Sequence, residues 1–384
     1  MDIGMYNSYL EVDFGKMKES FRKVQAAAGK RGVIPVLKAN AYGIGLIPMA
    51  DFLVNTMGCE VMAVAQTSEG VQLRQGGFRQ ADIMLLGPAP LHAVPYAVEN
   101  ELLLPVFNRE NAQWINDEAK KQGKIARVQL KIDTGMNRIG VRHGQPLEEL
   151  LDFLKTLPNL SITGVFTHFV NATYTDDPQT PVAYGKFEQA VAQVRAAGIE
   201  PQYIHCCNTG ATSWFKGDLI STHVRPGSLY MGYDSMDDGT NWLEVEEGIS
   251  WRAFITNIHT VKAGESCGYC NHHVCDKDTV VATVDIGYAD GLYRPMAQGG
   301  TGGVLLVNDT RCPYLATSMD QTMVDVTGVD CKVGDQVTVF GFSLGGAKLP
   351  LAELQNWTNQ NLSLPLCLTN HRVKRIYKYK KIPD

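Results

Sequence analysis

The chain is predicted to be an α/β protein, a (β/α)8 TIM-type barrel followed by a C-terminal β-rich domain. Eight short apolar runs recur between Ile34 and Arg225, and stretches of helical period separate them. From about Ile249 the pattern changes to alternating strand-like runs with turn residues and little helical periodicity. At 384 residues the chain exceeds what one hydrophobic core usually organises, and a hydrophobic fraction of 45% is ample for two.

The eight runs are Ile34–Leu37, Val61–Ala65, Ile83–Leu86, Leu102–Phe107, Val128–Ile132, Ile162–Phe166, Tyr203–Cys207 and, more weakly, Thr222–Arg225. Between them, Pro146–Leu157 and Tyr184–Arg195 place apolar residues three or four apart, as an amphipathic helix requires. Strands are expected in the second domain at Trp251–Val261, Val280–Val284, Gly303–Asn308, Met323–Val326 and Val337–Phe342. The polar, acidic stretch Asp234–Glu247 reads as the loop between domains, which assigns residues 1–240 to the barrel and 241–384 to the β domain, with the N-terminal segment packing on the latter as a further option. The tail Lys374–Lys381, basic and interleaved with tyrosine, reads as a solvated end.

Chemistry-capable residues follow the strands: Lys38, Lys131 with Asp133 and Arg138, His168, Asn208-Thr209 and Arg225. Ligand sites in such barrels lie at the C-terminal ends of the strands, so separate segments can aim these groups at one place. Polar loops follow buried strands in every α/β protein, which accounts for one such residue but not the series. Lys38 is the sharpest case, because Ile34-Pro-Val-Leu-Lys38 runs directly into the glycine-containing turn Ala-Asn-Ala-Tyr42-Gly-Ile-Gly45. A strongly hydrated lysine ending a buried strand must be paired, titrate, be used covalently as in a Schiff base, or snorkel to the surface.

A net charge of −5 with mixed signs and no dense basic run argues against nucleic-acid binding. No signal peptide or bilayer-spanning run is visible, so a cytoplasmic protein is expected. Nine cysteines, several in apolar strand-like contexts (Cys206, Cys207, Cys312), fit reduced thiols better than a disulfide framework.

Several separated motifs together resemble the alanine racemases, pyridoxal-phosphate (PLP) enzymes with a barrel and a C-terminal β domain. They are Lys38-Ala-Asn-Ala-Tyr42-Gly, Lys131-Ile-Asp-Thr-Gly-Met-Asn-Arg138-Ile-Gly, Asn208-Thr209, Arg225-Pro-Gly227, Gly287-Tyr288-Ala-Asp-Gly291 and Ser318-Met319-Asp320-Gln321, in the family's order and across essentially the whole chain. The resemblance implies a homodimer with shared sites, in which Lys38 carries PLP and is one catalytic base and Tyr288 of the partner subunit is the other. Two groups flanking a planar centre can remove a proton from one face and return it to the other. Arg225 would face the pyridine nitrogen, with His168 nearby; Tyr42, Asn208, Thr209, Gly227 and Ser228 would hold the phosphate. Arg138 and Met319 would hold the substrate carboxylate. Lys131 matches a position of carbamylation, with an ordinary ion pair to an acidic neighbour as the alternative.

The chain departs from the family pattern at three places. Ile44 replaces a histidine in the first motif. Asn370-His371-Arg-Val-Lys-Arg375 stands where the family has Ser-Tyr-Arg-Val-Pro-Arg, so His371 replaces a tyrosine that touches the phosphate and narrows the pocket, which opens the way to serine or other amino acids besides alanine. Ser266-Cys267-Gly268 replaces Ser-Tyr-Gly, within a cluster Cys267, Tyr269, Cys270, His272, His273 and Cys275 whose two reading options are a reduced strand or loop and, against it, a metal site. We expect no metal there. A PLP-dependent decarboxylase of similar architecture would want a catalytic cysteine beside an acidic residue in the second domain and a glycine-rich phosphate turn in the barrel; a non-catalytic PLP carrier would have no need of both bases.

Overall fold

The computed structural model describes residues 3–234, 236, 239–271, 273–293, 303–358 and 361–379. They form two compact units, one of Lys18–Ala41 with Gly45–Val245, the other of Met1–Met17, Tyr42–Ile44 and Glu246–Asp384.

The first unit is the eight-stranded parallel barrel. Its strands are Gly32–Val33, Val61–Val64, Asp82–Leu85, Leu104–Val106, Ala126–Lys131, Leu160–Phe166, Tyr203–His205 and His223–Val224. The first and last pair with each other, and single bridges Val36↔Ala63 and Met84↔Leu103 complete the ring. Seven of the eight expected runs therefore overlap a strand; Ile34–Leu37 does not, its strand lying just before it at Gly32–Val33 and the run itself adding the Val36 bridge. Ile34, Val36, Val61, Ala63, Met84, Leu103 and Tyr203 pack together in one apolar cluster, which explains why short continuous β-type runs, buried on both faces, carried the signal. The two anticipated helices form as Gln145–Leu154 and Gln179–Ala196; the first buries Leu147, Leu150, Leu151 and Leu154 along one stripe.

The second unit is built on a nine-stranded sheet in the order Lys348–Leu349, Gln336–Phe342, Val304–Val307, Thr310–Thr317, Thr322–Asp325, Thr279–Val284, Ile249–Val261, Ser8–Asp13, Val373–Lys378. Ile249–Val261 also pairs with Gln336–Phe342, so one long strand is shared by three neighbours. All five expected strands are present. The other four strands of this sheet were not anticipated: Ser8–Asp13, Thr310–Thr317, Lys348–Leu349 and Val373–Lys378.

The tail is the clear correction. Val373–Lys378 is not a solvated end but a strand in parallel register with Ser8–Asp13, Tyr9 opposite Lys374 and Val12 opposite Tyr377. Its charges are used: Lys378 Nζ lies 2.6 Å from Glu11, and Tyr377 stacks on Phe14 with centroids 5.6 Å apart. Lys380 and Lys381 lie outside the described residues. The stretch Asp234–Glu247 carries no regular element among its described residues, and the units divide within it.

In the cysteine cluster, Cys267 and Cys275 are buried with Val261, Val281 and Leu315, whereas Cys270 is exposed. His272 lies outside the described residues, and no group of three His, Cys, Asp or Glu side chains is arranged for a metal among the described ones. Nor is any described helix long and apolar enough to cross a membrane.

Buried in the same unit, Glu11 and Arg252 are 2.7 Å apart and less than a tenth exposed. Removing one member strands the other in a low-dielectric interior, at about 3–5 kcal/mol, whereas replacing both with apolar residues is far cheaper. Glu11→Leu should therefore lower the thermal midpoint strongly and Glu11→Leu with Arg252→Met should recover much of it. Equal midpoints for the single and double variants would refute that reading.

Candidate active site

Lys38 stands at the head of an unusual turn. Ala39, Asn40, Ala41 and Tyr42 all have φ between +51° and +56°, a left-handed helical turn without a glycine in it. Such a conformation costs roughly 1–2 kcal/mol per residue, so surrounding contacts must hold it. The Asn40 side chain accepts from Leu46 N–H at 2.8 Å, and Glu69 accepts from the N–H groups of Ala39 and Asn40. In the second unit, Arg375 grips the Gly43 carbonyl with Nε at 2.9 Å and Nη2 at 2.7 Å, and Tyr377 donates to the Ile44 carbonyl at 2.7 Å. Gly43 is obligatory: at φ +82° a Cβ would lie 2.2 Å from the Leu366 carbonyl oxygen. Ile44 is fully buried.

Arg225 is the electrostatic centre of the barrel unit. Only 3% exposed, its guanidinium donates to the carbonyls of Thr167 (2.8 Å) and His205 (2.9 Å) and to Nδ1 of His205 (3.0 Å) and His168 (3.2 Å). Both imidazoles are then neutral acceptors protonated on Nε2. The His205 Nε2–H meets Gln129 Oε1 at 2.7 Å, so a second layer holds the first. Among the described residues no carboxylate pairs with Arg225. Burial lowers its pKa to about 10, still well on the cationic side of neutrality. Desolvation, then the charges of Arg225, Lys131, Arg138 and Lys38, hold His168 well below its ordinary value. That list is also a map: these five basic groups share one neighbourhood.

Lys131 is 3% exposed, with Nζ 3.2 Å from the Ile132 carbonyl and 5.0 Å from the centre of the Phe166 ring. Burial first, then Arg225 and Arg138, bring its pKa down to about 7, Asp133 offsetting them only in part. The ion pair with an acidic neighbour does not form among the described residues. Asp133 instead accepts from Gly135 N–H and Asn137 N–H, shaping the loop that carries the exposed Arg138.

Asn208 caps the short helix Thr209–Trp214 through Ala211 N–H at 3.1 Å. The Thr209 hydroxyl accepts from Gly227 N–H at 2.9 Å, which leaves its own proton to donate. Ser228 opens the turn Leu229–Met231. The Thr209–Gly227 bond thus brings two short helix starts together, Asn208-Thr209 and Gly227-Ser228, with the Thr209 hydroxyl proton available to a phosphate, and Lys38 and Arg225 in the same unit suit an aldehyde and a ring nitrogen. The residues present fit PLP.

The second unit holds Tyr42, Tyr288, Met319 and His371. The last three come from segments locked to one another: Tyr288 N–H donates to the Ser318 carbonyl (3.2 Å), Ala289 N–H to that of Met319 (3.0 Å), and the Asn370 amide to that of Ala289. Arg372 bridges Asp290 at 3.0 Å and Asp320 at 2.8 Å. Approach at Gly287 is so close that a Cβ there would sit 2.2 Å from the Met319 carbonyl oxygen. Tyr288, 41% exposed, and Met319, 52% exposed, are therefore fixed in backbone while open at the side chain. Burial raises the Tyr42 pKa and keeps its phenol protonated.

Sequence reasoning missed Gln129, Thr167 and His205, which hold Arg225, and Glu69, which holds the Lys38 turn. Polar side chains inside otherwise apolar strand runs, Gln129 within Val128-Gln-Leu and His205 within Ile204-His-Cys, were the available signal.

Comparison with known proteins decides the family. Residues 12–235 match the alanine racemase N-terminal domain and residues 248–377 the alanine racemase C-terminal domain. This chain belongs to the alanine racemase family. The chain is 31% identical to the alanine racemase of Halothermothrix orenii over 382 residues, covering 97% of each, and 29% identical to that of Clostridium tetani over 375 residues, covering 96% of this chain and 95% of the relative. Among solved structures, alanine racemase of Clostridium difficile 630 superposes with a TM-score of 0.90 at 28% identity, covering 98% of this chain and 97% of that one. That of Bacillus anthracis, with bound L-Ala-P, gives 0.89 at 26% identity, covering 98% and 96%. The alanine racemase family is PLP-dependent, and this chain is an isomerase of that kind.

The pKa of Lys131 carries a stability consequence. The unfolded chain holds this proton up to about 10.5 and the folded one only to about 7, so between those values the unfolded state binds more protons and stability climbs as pH rises. Lys131→Met should flatten the rise of the urea midpoint across that window. An unchanged slope in the variant would show that Lys131 is not the group responsible.

Proposed function

We propose that this alanine racemase works through two bases, Lys38 and Tyr288 of the partner subunit, in a cytoplasmic homodimer, with His371 widening the substrates it accepts beyond alanine toward serine. The observation that carries the reading is Lys38 at the head of its left-handed turn, in one electrostatic neighbourhood with His168, Lys131, Arg138 and Arg225. Bound there, PLP supplies an electrophilic carbon for the substrate amine and a ring that draws electron density from the α-carbon.

The side chains divide the remaining work. Lys38 would anchor the cofactor, and its amine would take or give the substrate α-proton on one face. Tyr288 does so on the other. Its phenol, ordinarily a weak base near neutrality, needs cations nearby, and the barrel unit holds several. Arg225 would face the ring nitrogen as a donor that keeps its proton, since even at a pKa of about 10 it is a poor acid at neutral pH. That limits charge delocalisation and favours closely coupled transfer between the bases. Asn208, Thr209, Gly227, Ser228 and Tyr42 would hold the phosphate; Arg138 and the main chain at Met319 would hold the substrate carboxylate.

Lys131 fits the carbamylation reading for a physical reason. Carbon dioxide adds to an unprotonated amine, and a pKa of about 7 keeps a large share of this one unprotonated. The carboxylate-like product would neutralise part of the positive field and steady Arg138. Under 13C-labelled carbon dioxide, a carbamate resonance should appear in the native protein and be missing from Lys131→Met. Its absence from both would remove the modification.

The test of the whole reading is deuterium exchange in D2O with a panel of L- and D-amino acids, followed by NMR and chiral analysis. Alanine should exchange its α-proton and racemise from either hand, with serine also turning over. Tyr288→Phe should slow exchange from one enantiomer far more than from the other, and mixing it with Lys38→Ala protein should restore turnover if the bases come from different subunits. Symmetrical loss would refute separate bases; alanine alone reacting would refute the broadened pocket.

A further inference from the structure

We propose that Glu69 is a positioning residue for Lys38, its carboxylate serving as the acceptor that keeps the left-handed turn wound and so aims the lysine at the cofactor. This rests on Lys38 being the cofactor lysine.

Glu69 lies in the first turn of the helix Thr67–Gln75, where an acidic residue completing a capping box is ordinary. Its bonds go beyond that role. One oxygen, Oε2, receives Ala65 N–H at 3.0 Å and Gln66 N–H at 3.1 Å; the other, Oε1, receives Ala39 N–H at 2.5 Å and Asn40 N–H at 3.3 Å. Four main-chain donors from two separate strand ends converge on one half-buried carboxylate. The first pair is what a helix cap needs. The second pair belongs to the two residues directly after Lys38, both at positive φ, and successive N–H groups in such a turn form a concavity that binds an anion.

The chemistry of the acceptor matters. With donors on both oxygens, an amide at this position would turn its NH2 against one pair of N–H groups, so glutamine cannot replace glutamate here. Shortening the side chain by one methylene leaves a carboxylate that reaches the helix cap but not both strand ends. Losing the Ala39 and Asn40 acceptor releases the strain of the turn, and Lys38, the next residue back, loses its fixed direction.

The experiment uses the full chain. In the cofactor-free protein, amide hydrogen exchange at Ala39 and Asn40 should accelerate on the order of tenfold or more in Glu69→Gln, the scale of a lost charge-assisted hydrogen bond. Titration with PLP should show affinity weakened by about the same factor and an altered visible circular dichroism of the bound cofactor. Gln66→Ala, which changes the N-cap side chain and keeps the Glu69 carboxylate with its main-chain donors, should leave exchange at Ala39 and Asn40 and the cofactor titration unchanged. Should Glu69→Gln fail to fold, Glu69→Asp supplies the same comparison with the charge retained. Native exchange and native affinity in the Glu69 variants, or an equal loss in Gln66→Ala, would overturn the proposal. Borohydride reduction of the native holoenzyme and peptide mapping separate this from the underlying assignment: a label on another lysine would refute the role given to Lys38, while the exchange data would still judge what Glu69 holds.

Discussion

A permanent cation sealed into the barrel, with no carboxylate among the described residues to balance it, is the constraint on which the site depends. Among the described residues the hydrogen bonds of Arg225 go to two carbonyls and two neutral imidazoles, an arrangement that leaves its charge largely uncancelled. Its titratable neighbours feel it next after their own burial: desolvation first and Arg225 second keep His168 and His205 unprotonated and draw Lys131 down toward neutrality. The positive field is thus built into the apoprotein and is ready for a cofactor bearing a dianionic phosphate and a substrate bearing a carboxylate.

The two residues proposed as bases are held by opposite strategies. Lys38 is held through a strained turn that contains no glycine and relies on acceptors outside itself. Tyr288 is held through close main-chain approach, with Gly287 against Met319 and an Arg372 bridge between Asp290 and Asp320. In both cases the backbone is determined and the side chain is left open, which suits groups that must exchange protons with a substrate.

The barrel was legible because its strands are buried on both faces and so read as short unbroken apolar runs, even where the final strand is only His223–Val224. Ser8–Asp13 and Val373–Lys378 were not legible, because each carries charges whose partners lie in distant segments: Glu11 is neutralised by Arg252 and Lys378. A charge inside a strand looks like surface until its partner is known. Thr310–Thr317 hid behind Arg311 and Pro313 in the same way. Within the site, residues that end strands stood out, whereas those that act through another residue did not. Lys38 and Arg225 announce themselves by position; Glu69 resembles any helix-capping glutamate until the turn it also serves is seen in three dimensions.

The parallel pairing of Ser8–Asp13 with Val373–Lys378 has a consequence for how the chain is made. A strand made before any barrel strand must wait for a neighbour made after all of them, and the long strand Ile249–Val261 that flanks its other edge is itself completed only by Gln336–Phe342. All of the barrel strands emerge in the interval, and their pairings join neighbours in sequence apart from the closing one. Translation therefore favours a folded barrel preceded by an unpaired strand Ser8–Asp13, and the edges of that strand are open to other nascent chains until first Ile249–Val261 and then Val373–Lys378 have been made.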